Sequence, residues 1–172
     1  YERNKERILD KIDAVDASFL TTSPSALSFL SKKDNVFYIP NPSDKSFEIL
    51  NNFMNPCNVD VFFALSHGVH RGVLKMGKTD DRVNFVNKLI SNTPNVKFDI
   101  YGLNNIQPIW ADHYFKTIAN AKMGLNLSRG EAIKYYSSDR ITQIVGNGLV
   151  CLIDEKTEYR DFFNDDEMVF YK

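Results

Sequence analysis

Residues 59–65 read VDVFFAL, a short run in which valine and phenylalanine predominate. Apolar runs of this length that are rich in β-branched and aromatic residues are typical of buried strands. The residues after it alternate between strand-like and helix-like patterns. The predicted strands are 59–65, 96–102, 123–128, 149–153 and 168–171, and the predicted helices are 80–91, 110–121, 139–147 and 157–163.

The connections between these elements predict how the strands pair. No hairpin dipeptide joins consecutive strands, so the strands should be parallel. Right-handed crossovers then give an α/β fold, a three-layer Rossmann-like parallel sheet with helices on both faces. Ligands of such sheets bind beyond the carboxyl ends of the strands, in this chain at the loops that begin at Ser66, Gly102, Ser128 and Asp154. Thr79 and Thr157 are the expected N-caps of helices 80–91 and 157–163.

The pattern of predicted helices and strands is different in the amino-terminal part. It predicts a helix over 2–13, a strand over 17–22, a short helix from Pro24 to Leu30 and a strand over 35–40. The polar stretch 51–58 looks like a seam between two units, so we expect residues 1–50 to form the end of one domain with its linker and residues 51–172 to form a second domain. Because the chain begins at Tyr1 rather than Met, we read it as part of a longer protein.

Composition excludes several classes of function. The formal net charge is -1, so no overall field favours nucleic acid as a partner. Cys57 and Cys151 are far apart in the sequence, which suits reduced thiols in the cytoplasm better than a disulfide framework. The chain has no apolar run of the roughly 18 residues that a membrane span requires, and no signal peptide is visible in the sequence given.

A basic, glycine-containing loop follows the first strand of the second unit and reads SHGVHRGVLK, residues 66–75. Gly68 and Gly72 would let the backbone approach a ligand, while the charged and imidazole groups of His70, Arg71 and Lys75 suit phosphate oxygens. The alternative is a solvated basic loop. A metal site is not expected, because His67 and His70 have no obvious third ligand.

A second candidate anion site lies in YYSSDRITQIVGNGLVCLID, residues 135–154. If Ser137 or Ser138 is the N-cap of the helix, the free amides of its first turn favour an anion, and Lys134 and Arg140 flank that point. The alternative is capping alone, because Asp139 would satisfy the helix dipole without a ligand.

A third candidate is YGLNNIQPIW, residues 101–110. Gly102 permits a tight exit from the strand, and the apolar side chains that could form a shelf for a nucleobase are Tyr101, Ile106, Pro108 and Ile109. A plain surface loop is equally compatible with this sequence. Trp110 is predicted to be a core residue.

The order of two of these segments resembles a known family. VFYIPNPSDKSFE, residues 36–48, and the stretch 135–154 are similar to passages of the GT-B glycosyltransferases, in particular the carboxyl-terminal, donor-binding domain of the group-1 branch that includes CgeB-like proteins. The second passage matches the family pattern S-x-R-x-x-E-x-x-x-x-G, with Arg140 at the arginine, Gln143 at the glutamate and Gly148 at the glycine. Many relatives also carry a glutamate eight positions earlier, where this chain has Tyr135.

The resemblance implies a donor-binding domain that takes a nucleotide-diphosphate sugar as substrate and needs no other cofactor. Arg71 and Lys75 would be the catalytic cations, stabilising the departing diphosphate. Donor contacts would come from Gly68, His70, Gly72, Tyr101, Gly102, Pro108, Ile109, Lys134, Tyr135, Ser137, Ser138, Asp139, Arg140 and Gln143.

The resemblance also implies partners and a location. A glycan, lipid-linked or protein acceptor would bind mainly to an amino-terminal domain, of which residues 1–50 are the end, so this chain alone should transfer no sugar. Polysaccharide biosynthesis in the cytoplasm is the expected setting, with peripheral association of the full protein at the inner face of the membrane. The alternatives are a non-catalytic doubly wound nucleotide- or partner-binding module and a nucleotide-sugar epimerase of the same architecture.

Overall fold

The computed structural model describes residues 4–66 and 81–172. The helices are α1 Lys5–Asp13, α2 Asp81–Asn92, α3 Ala111–Ile118 and α4 Arg140–Gly146. The strands are β1 Ser18–Leu20, β2 Val36–Tyr38, β3 Val59–Ala64, β4 Phe98–Tyr101, β5 Ala121–Asn126, β6 Val150–Asp154 and β7 Met168–Tyr171.

Five of these strands form one sheet in the order β4-β3-β5-β6-β7, and every neighbouring pair is parallel. The chain passes from β3 to β4 on one side and then returns to place β5 on the other side of β3. This reversal makes a topological switch point at the carboxyl ends of β3 and β5, where doubly wound sheets bind their ligands. The predicted three-layer, Rossmann-like fold is confirmed.

Side chains of β3 alternate between two hydrophobic cores, one on each face of the sheet. Phe62 and Ala64 pack with residues of α3 and α4, whereas Val61 and Phe63 pack with residues of α2. A strand that is covered on both faces must be apolar nearly throughout, which explains the continuous hydrophobic run at its position in the sequence.

Helix α4 approaches the sheet closely because β5 contains a glycine at the point of contact. A Cβ atom on Gly124 would lie 2.4 Å from Cγ1 of Ile144 in α4. At its other end, α4 is closed by Gly148, whose φ of 79° is in the left-handed region. The amides of Gly148 and Leu149 bond to the carbonyls of Val145 and Ile144, which is the Schellman arrangement.

Two predicted helices are short 3₁₀ turns instead. Residues 24–30 form the turns Pro24–Ala26 and Ser28–Leu30, and the predicted helix 157–163 is replaced by Glu155–Thr157 and Tyr159–Asp161. Thr157 is therefore not an N-cap, and the cap of the first of these later turns is Asp154, whose side chain accepts from the amide of Lys156. A left-handed Glu158, with φ 56°, separates these two turns and prevents one continuous helix.

The amino-terminal segment packs as a small unit and also contacts the loop before α4. Strands β1 and β2 pair in parallel, and their core contains Ile12 of α1 and Leu27. The carbonyl of Lys134 accepts hydrogen bonds from the Thr22 hydroxyl at 2.9 Å and the Ser23 amide at 3.0 Å. The division into domains at residues 50 and 51 stays a prediction.

Candidate functional site

A cavity of about 360 Å³ opens at the switch point of the sheet. Ligand pockets of proteins fall in the range of roughly 300–1,000 Å³. The lining residues come from the end of β3 and the starts of α3 and α4: Ala64, Leu65, Ser66, Ile109, Trp110, Ala111, Tyr114, Phe115, Ser138, Asp139, Arg140 and Gln143. Three segments that are far apart in the sequence therefore meet where the fold predicts a ligand.

Among the described residues that line this cavity, the cationic group belongs to Arg140, the first residue of α4. Its Nε donates to the carbonyl oxygen of Ala64 at 3.1 Å, and its Nη1 donates to the carbonyl of Leu127 at 3.3 Å and to the Ser138 hydroxyl at 3.1 Å. The guanidinium also lies over the Phe63 ring, 5.1 Å from its centroid. These contacts hold the guanidinium between the ends of β3 and β5.

Arg140 has no carboxylate partner within residues 4–66 and 81–172. Burial lowers the pKa of its guanidinium, and the nearby cation of Arg82 lowers that pKa further. A partly buried cation without a counter-ion is electrostatically costly, and a bound anion would remove that cost. The hydrogen bonds that Arg140 donates within the described residues come from Nε and Nη1, and none of them comes from Nη2.

A second polar group of the cavity was not identified from the sequence. The hydroxyl of Tyr114 is buried and has no hydrogen-bond partner within the described part of the chain. Burial raises the pKa of Tyr114 to about 12, so the hydroxyl keeps its proton and can donate it in a hydrogen bond. A tyrosine at the fifth position of the predicted helix 110–121 gives no sequence signal for this role, since most such residues pack in the core.

The predicted capping of α4 by Ser137 or Ser138 is wrong. The N-cap is Asp139, and its side chain makes no capping bond. The Ser138 hydroxyl donates to Oδ1 of Asn126 at 3.2 Å, and the Ser137 hydroxyl donates to the Ser138 carbonyl at 3.3 Å. Both serines also make long-range contacts that only the fold creates, because the Ser137 hydroxyl accepts from Asn41 and Tyr159, and Ser138 supports Arg140 rather than the helix end.

Gln143 and Asp139 both line the cavity, on either side of Arg140 in the sequence. Asp139 is exposed, and Gln143 is partly buried one turn into α4. The carboxamide of Gln143 is able to donate and to accept hydrogen bonds from ligand hydroxyls.

Lys134 and Tyr135 lie in a different place, because neither lines the cavity. Lys134 forms an ion pair with Glu158, and this hydrogen bond raises the pKa of the lysine. The Tyr135 hydroxyl donates to Asp161, and its ring packs 4.8 Å from that of Phe162. Both side chains belong to a surface cluster that joins the loop before α4 to the segment after β6.

In the loop after β4, some residues have a structural role and one lines the cavity. Gly102 has φ 78°, and a Cβ atom there would lie 1.8 Å from the Leu65 carbonyl oxygen, so glycine is required for β4 to leave the sheet beside β3. The Tyr101 ring packs 6.3 Å from the Phe62 ring. Ile109 lines the cavity, whereas Pro108 is partly buried outside its lining.

Trp110 is not the core residue that the sequence predicts. Its side chain is 54% exposed, and it lines the cavity at the N-cap position of α3. Its place in a loop that leaves the carboxyl end of a strand was the available signal.

The predicted basic loop lies outside the described residues. Gly68, His70, Arg71, Gly72 and Lys75 all fall within 67–80, and their proposed roles stay predictions. In the part of the chain that the structure describes, no group of three or more His, Cys, Asp or Glu side chains could hold a metal ion. Over the same residues, the helices are all too short or too polar to cross a membrane.

The fold and the cavity define a Rossmann-like domain with a cavity at its switch point. Residues 82–172 match the sequence pattern of a family described as glycosyl transferase-like, and this match covers just over half of the chain. The chain therefore belongs to the glycosyl transferase-like family, which indicates glycosyl transfer in general. No curated protein and no solved structure gave a significant match.

Proposed function

We propose that the cavity binds the diphosphate of a nucleotide-activated sugar and that the protein takes part in transferring that sugar to an acceptor. The observation that carries this proposal is Arg140, a cation without a carboxylate partner in the described chain, which lines a cavity of sufficient size at the switch point. Nη2 of Arg140 would supply a donor for phosphate oxygens, and the buried hydroxyl of Tyr114 would supply a second after turning toward the cavity. Membership of the glycosyl transferase-like family supports the same substrate class.

The chemistry requires stabilisation of a leaving group. As the bond between the sugar and the diphosphate breaks, negative charge grows on the phosphate oxygens. A guanidinium that is already fixed by the carbonyls of Ala64 and Leu127 does not reorganise during this step, so it binds the developing charge better than the ground state. Arg71 and Lys75 would add further positive charge, and the carboxamide of Gln143 would hold the ribose.

The assignment to a particular branch of glycosyltransferases and to a class of acceptor is also a proposal. The GT-B architecture and the CgeB-like branch are supported by the order of residues 36–48 and 135–154, and the acceptor would be a glycan, a lipid-linked sugar or a protein. A role in polysaccharide biosynthesis on the cytoplasmic side of a membrane fits this assignment.

Calorimetric titration tests the proposal. UDP, GDP and ADP are titrated into the wild-type chain and into Arg140→Lys, Arg71→Ala and the control Arg160→Lys, whose arginine forms an exposed pair with Asp165. We expect at least one nucleotide to bind below 1 mM. Replacing Arg140 or Arg71 should weaken that binding about tenfold or more, because each loses a charge-assisted contact of roughly 1.5–3 kcal/mol. The control should bind normally, and a wild-type chain that binds none of the three below 1 mM would contradict the proposal.

A further inference from the structure

We propose that Trp110 is the platform on which the nucleobase of the donor stacks, an inference that rests on the proposed function. The sequence places the base on the loop 101–109. The structure adds an aromatic wall of the cavity that begins one residue later, at Trp110. Three features of the molecule support this placement, namely the exposure of Trp110, the backbone beside it and the two kinds of surface in the cavity.

Trp110 is the chain's single tryptophan, and 54% of its side chain is exposed although it lies at a cavity. A large aromatic surface left in water is unfavourable unless something covers it. A planar ring is the ligand group that covers an indole most completely. Every nucleobase offers such a face, and stacking on an aromatic side chain tolerates any base.

The backbone at this position departs from regular geometry. Trp110 is extended, with φ -142° and ψ 159°, and Ala111 follows with φ 47° in the left-handed region. A residue with a Cβ atom pays about 1–2 kcal/mol to adopt that conformation. Strain of this kind is concentrated at ligand clamps, where surrounding structure holds it. Ala111, which carries this strain, and its extended neighbour Trp110 both line the cavity.

The lining of the cavity has two kinds of surface. The residues from α3 and the loop before it are mostly apolar and aromatic, namely Ile109, Trp110, Tyr114 and Phe115. The residues from α4 and its N-cap are polar, with the carboxylate of Asp139, the cation of Arg140 and the carboxamide of Gln143. A nucleotide has the same division, a flat ring at one end and an anion at the other. A sugar has hydroxyls on every edge and would need more polar partners than the aromatic wall provides.

The test uses intrinsic fluorescence, since all tryptophan emission comes from Trp110. The probes are inorganic pyrophosphate, the nucleoside diphosphate that binds best and the corresponding nucleotide sugar. We expect the nucleoside diphosphate to change the emission, and Trp110→Ala to raise its Kd about tenfold while the Kd of pyrophosphate is unchanged. Trp110→Phe should recover part of the affinity, and Phe19→Ala, which removes an aromatic ring that is 62% exposed elsewhere, should have no effect.

Three results would overturn the inference. The first is an unchanged Kd of the nucleoside diphosphate in Trp110→Ala. The second is equal weakening of pyrophosphate, which would mean that Trp110 only shapes the cavity. The third is weakening confined to the nucleotide sugar, which would place the sugar on this ring. Failure of the wild-type chain to bind either pyrophosphate or a nucleoside diphosphate would instead contradict the proposed function. If Trp110→Ala does not fold, emission of the wild type and the affinities of Trp110→Phe decide the question.

Discussion

Arg140 and Ala64 are 76 positions apart in the sequence, yet Nε of the arginine donates to the alanine carbonyl at 3.1 Å. The bond joins the first residue of α4 to the last residue of β3. The cation of the candidate site is therefore fixed by the sheet itself. A diphosphate that binds there would meet a donor whose position is set before the ligand arrives.

Removal of the Tyr114 hydroxyl should weaken ligand binding without lowering the stability of the protein. Because the hydroxyl has no hydrogen-bond partner within the described residues, Tyr114→Phe removes no intramolecular bond and should leave the unfolding free energy within about 0.5 kcal/mol of wild type, or higher. The same change should weaken pyrophosphate binding about threefold to tenfold, through loss of one hydrogen bond. Urea unfolding and calorimetric titration measure the two effects. A large loss of stability with normal binding would show that the hydroxyl has a structural partner instead.

Asn41 links the amino-terminal segment to the loop that carries the site. Its Nδ2 donates to the carbonyl of Ser137 at 3.2 Å and to its hydroxyl at 3.3 Å. Asn41→Ala should lower the unfolding free energy by about 1 kcal/mol and weaken pyrophosphate binding severalfold, because Ser138 and Arg140 follow on the same loop. Asn58→Ala, an exposed asparagine just before β3, is the control and should leave binding unchanged. Normal pyrophosphate affinity in Asn41→Ala would show that the amino-terminal segment does not position the site.

Gly124 sets the distance between β5 and α4. Gly124→Ala places a methyl group 2.4 Å from Cγ1 of Ile144, so we expect overpacking that costs about 1–3 kcal/mol of unfolding free energy. Ile144→Val removes one methyl group from the same contact, and the double variant should lose less stability than the sum of the two single variants. Denaturant unfolding of the four proteins gives this coupling. Strict additivity would mean that the two side chains do not compete for space.

The buried thiol of Cys151 should lower the unfolding free energy at alkaline pH. Burial raises the pKa of its thiol from 9.0 to about 12, so above pH 9 the unfolded chain releases this proton while the folded chain retains it. Stability contributed by the neutral thiol is therefore present below pH 9 and is lost as the pH rises toward 12. Between pH 8 and pH 10 the unfolding free energy of wild type should fall by about 1 kcal/mol more than that of Cys151→Ala. Identical pH profiles of the two proteins in urea unfolding would contradict this account.

The sequence predicted the sheet because hydrophobic runs such as 59–65 and 149–153 carry enough signal to place strands. It also predicted the edge at which Arg140 lies, since parallel strands end together. It could not predict the contact of Ser138, in the loop before α4, with Asn126 at the end of β5, because local sequence favoured the cap. The position of Trp110 at the cavity was not predicted either, because the exposure of its side chain depends on how α3 packs. Residues 155–163 have a helical composition, but the left-handed Glu158 divides them into two turns.

The most direct measurement is a crystal structure of the chain soaked with the nucleoside diphosphate that binds best. The account predicts phosphate oxygens within about 3 Å of the Arg140 guanidinium, in the cavity between β3, α3 and α4. A nucleotide bound at another edge of the sheet, or a cavity that remains empty at a concentration well above the measured Kd, would contradict it.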